Sequence, residues 1–245
     1  MLITLHPGAV GLEVLLASRL LGAQPVDCYT DSLKSHVLSF QRARGLRPDG
    51  VIGPKTWTQL IAGDLALSPS PAVQPPDYKQ YDARWANKMY SSHGDRSQTL
   101  RSSGCGPSAM ADIAAAWWDA SLTPWELALL SLEWGCRSYD SGTSASFFKK
   151  CADHWNAASF LSTASISKAI DCLQSGGLVV VNFGCGTPGK SSYRKWTKKG
   201  HYCLLWAYEN GRFRINDPAS ASPSRASGTY AEVQDAKKRF YCFKK

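Results

Sequence analysis

The sequence predicts an α+β domain, helical in its first half and built on an antiparallel sheet in its second, preceded by a small all-α domain. Three observations lead there. The stretch Leu67 to Pro76 holds four prolines in ten residues, so it cannot continue a helix and favours an extended, semi-rigid spacer. Before it, apolar residues recur at helical spacing. After it, an Ala-rich run near residue 110 gives way, from residue 178 on, to short apolar and aromatic runs punctuated by Gly and Asn. With 245 residues, 44% hydrophobic and 19% charged, the chain is globular in composition and long enough for two unequal domains. The predicted boundaries are residues 1–66 for the small domain, 67–76 for the linker and 77–245 for the larger domain.

In the small domain, Leu33, Val37 and Phe40 fall on one helical face, with Thr30 or Asp31 as cap and Gly45 as stop. Asp49-Gly50 is a turn. Pro54 suits the first turn of a last short helix and Gly63 suits its end.

In the larger domain, Gly104-Cys105-Gly106-Pro107 precedes the run Ala109 to Ala116, which predicts a helix beginning at or just after the thiol. A helix N-terminus offers unpaired N–H groups and the positive end of the dipole, and both favour thiolate over thiol. Thr123-Pro124-Trp125-Glu126 is a capping box opening a helix through Leu132. Ser165 to Gln174 is a helix stopped by Gly176-Gly177, and it feeds a buried strand, Leu178 to Phe183. His201 to Tyr208 is aromatic and apolar, as strands are. Glu209-Asn210-Gly211 is a turn, Arg212 to Asn216 alternates as a half-buried strand does, and Asp217-Pro218 ends it.

The register of this hairpin decides whether His201 and Asp217 can meet. A two-residue Asn-Gly loop pairs Leu204 with Asp217 and turns His201 to the other face. A three-residue loop with Gly211 as a left-handed bulge pairs Cys203 with Asp217 and puts His201 and Asp217 diagonally on one face. The chemistry requires the second arrangement, which is the expectation here. Cys105 is then the candidate nucleophile, His201 the base that takes its proton and later protonates the leaving amine, and Asp217 the acceptor that fixes the imidazole tautomer.

These stretches, Gln80-Tyr81-Asp82-Ala83-Arg84-Trp85, Gly104 to Met110, Gly200-His201-Tyr202 and Asn216-Asp217-Pro218, resemble the bacteriocin-processing-peptidase-like group of papain-fold cysteine peptidases. The resemblance runs from Gln80 to the end and implies a papain-like fold with a cleft between its helical half and its sheet. It also implies that Gln80 supplies an oxyanion-hole donor beside the backbone N–H of Cys105. Gln98, seven residues before Cys105, is the competing candidate. The small domain is similar to the three-helix peptidoglycan-binding module through Val37 to Gln41, Gly45-Leu46 and Asp49 to Trp57. Its first helix departs from that family at Ala17 and Ser18.

Charge and composition narrow the partners. Of the net charge of +9, residues 1–66 carry +1 and the remainder +8. A basic larger domain suits a polyanionic surface, and beside a wall-binding module that points to anionic wall polymers rather than nucleic acid, for which no motif is present. Apolar runs are too short to span a membrane, and no secretory signal is evident, so synthesis in the cytoplasm and action at the wall after release are expected. Of the eight cysteines most should be reduced and buried; no Cys-x-x-Cys occurs, and neither a metal site nor a cofactor is expected. Cys203, two residues past His201, should face the same way. Eight of the nine tryptophans lie in the larger domain, most in the core and some lining the cleft.

Together these features predict a monomeric peptidoglycan hydrolase of the bacteriophage endolysin or autolysin kind, a cysteine endopeptidase acting through an acyl-enzyme. The alternatives are N-acetylmuramoyl-L-alanine amidase activity from the same site, leader-peptide processing, or wall binding without catalysis.

Overall fold

The computed structural model describes residues 3–66, 74–139 and 141–245. Most of the predicted linker, residues 67–73, lies outside them. Contacts divide the chain into two compact units, Met1–Pro69 and Ser70–Lys245.

The first unit holds helices α1 (Leu12–Leu20), α2 (Asp31–Ala43) and α3 (Pro54–Ala66). Thr30 caps α2, accepting from the Leu33 N–H at 3.3 Å. Gly45 follows its end with φ of +65°, the left-handed geometry that stops a helix cheaply only at glycine. The helix predicted to end at Gly63 instead runs on to Ala66. One interior glycine costs a helix only about 1 kcal/mol, which three further residues of helix can offset. Leu5, Val14, Leu33, Val37, Ile52 and Trp57 form the core.

The second unit begins with α4 (Leu100–Ser103), α5 (Cys105–Trp117) and α6 (Pro124–Glu133). The predicted box at Thr123 is present: Trp125 N–H donates to its hydroxyl at 3.2 Å, and its own N–H donates to Glu126 at 3.1 Å. A short hairpin, β1 (Arg137–Ser138) and β2 (Gly142–Thr143), leads to α7 (Ser146–His154), β3 (Ser159–Thr163) and α8 (Ile166–Gln174). Then follow β4 (Leu178–Phe183), β5 (His201–Glu209), β6 (Arg212–Asn216), β7 (Ser227–Thr229), α9 (Tyr230–Ala236) and β8 (Lys237–Lys244). Six strands pair antiparallel in the order β3-β8-β4-β5-β6-β7.

Both faces of the sheet are covered, which explains the unbroken apolar run of β4. Leu178 and Val180, with Leu204 and Phe243, pack against Ala109, Met110 and Ile113 of α5 and against Phe148 of α7. Val179, Val181 and Phe183 point the other way, into a layer with Ile166 and Ala169 of α8 and Val233 of α9. Strand β8 alternates between the same layers, Phe240 and Cys242 on one, Tyr241 and Phe243 on the other. The fold is the α+β arrangement expected, with α5 laid on one face of the sheet.

The hairpin of β5 and β6 reaches the expected register by a different route. Glu209 pairs with Arg212, so the loop has two residues, Asn210 and Gly211, both with positive φ (51° and 74°). This is the primed turn that Asn-Gly favours. The extra residue sits instead at Trp206: Ala207 pairs with Arg214, but Leu205 pairs with Ile215 and Leu204 with Asn216. Continued by one residue, that register sets Cys203 opposite Asp217. The three-residue loop is corrected, while the pairing it was meant to produce stands.

Candidate active site

Cys105 is the first residue of α5, and the glycines around it are sterically required. A Cβ on Gly104 would lie 2.5 Å from the Leu100 carbonyl oxygen, and one on Gly106 would lie 2.6 Å from Thr143 Cβ. Bare backbone on both sides lets α4 turn directly into α5 and lets β2 back against the first turn.

His201 opens β5, and Asp217 follows the last residue of β6. His201 Nε2 and Asp217 Oδ1 are 2.7 Å apart, and both side chains are buried. The same imidazole interacts with the Cys105 thiol. Burial pushes the Cys105 thiol up, but the bond to His201 and its charge, with the backbone N–H groups of Tyr202 and Gly106, hold it below the usual thiol range. Burial pushes His201 down; Cys203, the bond to Asp217 and the bond to Cys105 outweigh it and hold the imidazole well above its usual range. Cys203 is itself pushed up to about 11, chiefly by burial, so it stays a thiol near neutral pH. Asp217 and Cys105 are therefore the groups that sustain a protonated His201. The arrangement favours a thiolate–imidazolium pair.

Asp217 has a second partner that sequence reasoning missed. Arg225, in the loop between β6 and β7, donates from Nε to Asp217 Oδ2 at 2.6 Å and from a terminal nitrogen to the Trp196 carbonyl at 2.5 Å. The Ala219 N–H donates to Oδ1 at 2.9 Å. Burial alone would raise the Asp217 carboxyl, but the bond to and charge of His201, the charge of Arg225 and the Ala219 N–H hold it below the usual carboxylate range. Nothing in the spacing around residue 225 marks it, because the loop that delivers it has no regular pattern.

Gln80 lies on the segment ahead of α4. Its N–H donates to the Pro218 carbonyl at 2.9 Å, next to Asp217, and its Nε2 donates to the Arg101 carbonyl at 2.6 Å. Its Oε1 is buried without a partner among the described residues. Trp85 locks the turn, donating from Nε1 to the Lys79 carbonyl at 2.8 Å. Gln98 is differently employed: its Oε1 accepts from Arg137 at 2.8 Å and its side chain bonds Asp95.

Asp112, two turns along α5 from Cys105, also went unflagged. It is fully buried and accepts from the Tyr78 N–H at 2.9 Å and from Asn216 Nδ2 at 3.2 Å; Asn216 also donates to the Pro76 carbonyl at 2.9 Å. One carboxyl thus ties the nucleophile's helix to the residue before Asp217 and to the segment that carries Gln80. Burial pushes its carboxyl well above the usual range. The signal was present, as a lone acid inside an apolar helical run.

A cleft of about 680 Å³ opens over the site, lined by Cys105, His201 and Tyr202 and walled by hydroxyls such as Ser102, Ser138 and Thr143. No tryptophan lines it among the described residues, contrary to expectation; Trp85 and Trp196 are core residues. All eight cysteines are free thiols and five are buried. His201, Cys203 and Asp217 bring one ligand atom each within 4.8 Å, a set that could hold a metal ion. Two of the three donors are already engaged, however, by the His201–Asp217 bond and by the Arg225 cation on the same carboxylate.

The Peptidase_C39 like family model matches residues 77–245, and a peptidoglycan binding domain model matches residues 15–60. No curated protein matches. Among solved structures, the chain is similar to a C39-like peptidase from Bacillus anthracis, with 14% identity and a TM-score of 0.42 over 58% of this chain and 88% of that one. It is also similar to the peptidase domain of Streptococcus ComA, a bifunctional ABC transporter of a quorum-sensing pathway, with 18% identity and a TM-score of 0.42 over 59% of this chain and 93% of that one.

Proposed function

Starting from a chain that belongs to the Peptidase_C39 like family and is a cysteine peptidase, we propose that it is a peptidoglycan hydrolase of the endolysin type, an endopeptidase that cuts wall peptides. The observation that carries this reading is the union in one chain of a Cys–His–Asp site with a separate unit matching a peptidoglycan binding domain.

The chemistry follows from the residues. The Cys105 thiolate attacks the scissile carbonyl carbon, and the carbonyl electrons move to oxygen. The backbone N–H of Cys105, at the start of α5, and the second Nε2 hydrogen of Gln80 stabilise that oxyanion. Protonated His201 gives its proton to the leaving amine as the carbon–nitrogen bond breaks, leaving a thioester. Neutral His201 then takes a proton from water, whose oxygen attacks the thioester and releases the acid and the thiolate. Asp217 holds the imidazole in place throughout, and Arg225 holds Asp217.

Digestion of purified peptidoglycan, followed by mass spectrometry of the released fragments, tests the proposal. New amino termini within the stem or cross-bridge peptides are the expected result. Release of intact stem peptides from muramic acid would make the enzyme an amidase instead. Intact walls alongside cleavage of a leader peptide would sink the wall reading.

A further inference from the structure

The wall of the cleft beside His201 is built around a displaced lysine. Between β4 and β8, Asn182 pairs with Arg239 but Phe183 pairs with Lys237, so Lys238 is an extra residue with no partner across the ladder. A bulge of this kind re-aims a side chain. It lies at the end of β4 where Phe183 also pairs with His201. One glycine clears its path: a Cβ on Gly184 would lie 2.9 Å from Lys238 Cε. The ammonium then donates to the Lys199 carbonyl at 3.1 Å. Lys199 and Lys238 are both exposed, and both line the cleft with Cys105 and His201. Among the described residues neither is ion-paired with a carboxylate, and no Asp or Glu lines the cleft.

We propose that Lys199 and Lys238 form a recognition site for a carboxylate of the peptide substrate, on the leaving-amine side of the scissile bond. Two cations with no carboxylate partner among the described residues, set on a concave wall, attract an anion more strongly than the same charges spread over a convex surface. The side follows from the chemistry. His201 protonates the leaving amine, so the wall next to His201 faces the amine half of the substrate. The proposal rests on the peptidase mechanism above and deepens it by naming the charge the cleft selects.

The test uses the full chain carrying Cys105→Ala, so that binding is read without turnover. The probes are the synthetic stem tetrapeptide L-Ala-γ-D-Glu-L-Lys-D-Ala and the same peptide with every carboxylate converted to carboxamide. Calorimetry should show the acid binding about tenfold more tightly, the worth of one charge-assisted hydrogen bond. Adding Lys199→Gln and Lys238→Gln together should bring the ratio to about one. Gly184→Ala keeps both charges but pushes Lys238 aside, and it should cut the ratio severalfold. Equal affinities for acid and amide overturn the proposal, as does a preference that survives the double lysine substitution. Digestion of purified walls by the unsubstituted enzyme is read separately. A carboxylate preference without wall cleavage keeps this site and refutes the wall reading, whereas wall cleavage without the preference does the reverse.

Discussion

Gln41 in the first unit and Gln80 in the second are both almost closed to solvent, at 1% and 8% exposure, yet their amides are used differently. Gln41 is saturated. Its Nε2 reaches Asp49 Oδ1 at 3.0 Å, the Val51 carbonyl at 2.9 Å and Thr56 Oγ1 at 3.2 Å, and its Oε1 accepts from the Gly50 N–H at 3.0 Å. It knots α2 to the turn ahead of α3. Gln80 makes one side-chain bond, to Arg101, and keeps an oxygen without a partner. An unpartnered buried amide oxygen costs roughly 1–3 kcal/mol, but it is an acceptor and offers nothing to an oxyanion. The contrast that matters is on the donor side: the Gln41 Nε2 is fully used within the fold, whereas the Gln80 Nε2 makes one bond and keeps a hydrogen without a partner among the described residues.

The largest effect that can break this contrast is at the nucleophile. Cys105→Ala and His201→Ala should each lower hydrolysis by more than about 10³-fold, since each removes a member of one acting unit. Binding to walls should persist in both, because the Gln41 knot is untouched. Turbidity clearance and wall pull-down on the same preparations measure the two properties. Residual clearance within tenfold of the parent enzyme would remove Cys105 from the mechanism.

Next in size is Gln80→Ala, expected to cost about 10²–10³ in turnover with little change in substrate affinity, as for one lost oxyanion donor. Gln98→Ala is the control. Its amide bonds Arg137 and Asp95, so turnover should stay near the parent value while thermal stability falls. Reversed outcomes would move the donor to Gln98.

What was legible in the sequence follows the physical reach of each signal. Local signals read well: the helix at Cys105, the Thr123 capping box and the all-apolar β4 are set by residues within a few positions of one another. The register of β5 and β6 was legible only through chemistry. Asn-Gly specifies its own two-residue turn, and nothing local marks Trp206 as the bulge that restores the pairing. Arg225 and the partner of Asp112 were invisible for a related reason: each contact joins segments whose proximity exists only once the sheet has formed. Strand β8, which ends in an aromatic run flanked by lysines, was not read as the centre of the sheet's β3-β8-β4 edge, because charged ends mask a buried middle.

A subtler test concerns what holds His201 charged. Asp217→Asn removes the carboxylate and should lower hydrolysis at neutral pH by about tenfold, less than a lost oxyanion donor costs. The Tyr202 and Gly106 N–H groups still favour the thiolate. The kcat/KM profile should rise with Cys105 deprotonation and fall with His201 deprotonation, so losing Asp217 draws the alkaline limb to lower pH. The same pair contributes to stability with opposite pH dependence. His201, held above its unfolded value near 6.5, contributes fully below about that pH and loses its contribution as pH rises through the higher folded value. Asp217, held below its unfolded value near 3.9, contributes above about that pH and loses its contribution as pH falls through the lower folded value. Arg225→Gln should shift the alkaline limb in the same direction by less, and Arg225→Lys should restore most of it. An unchanged profile in Asp217→Asn would mean that Asp217 does not set the charge of His201.

The smallest effect on chemistry should come from Gln41→Ala, and it closes the comparison from the structural side. Truncation strands the Gly50 N–H and removes the amide that gathers Asp49, Val51 and Thr56 around α3. Losing a buried, fully used amide should destabilise the first unit by roughly 2–3 kcal/mol. In the full-length protein this appears as a lower first transition in thermal unfolding. Cleavage of a small soluble wall peptide should not change, since no residue of the site lies before Gln80. Clearance of intact walls should fall severalfold as the temperature approaches that transition, because a module that unfolds no longer raises the local concentration of the enzyme on an insoluble polymer. Loss of activity on the soluble peptide would mean that the first unit contributes to the site, and the two glutamines would then belong to one functional system.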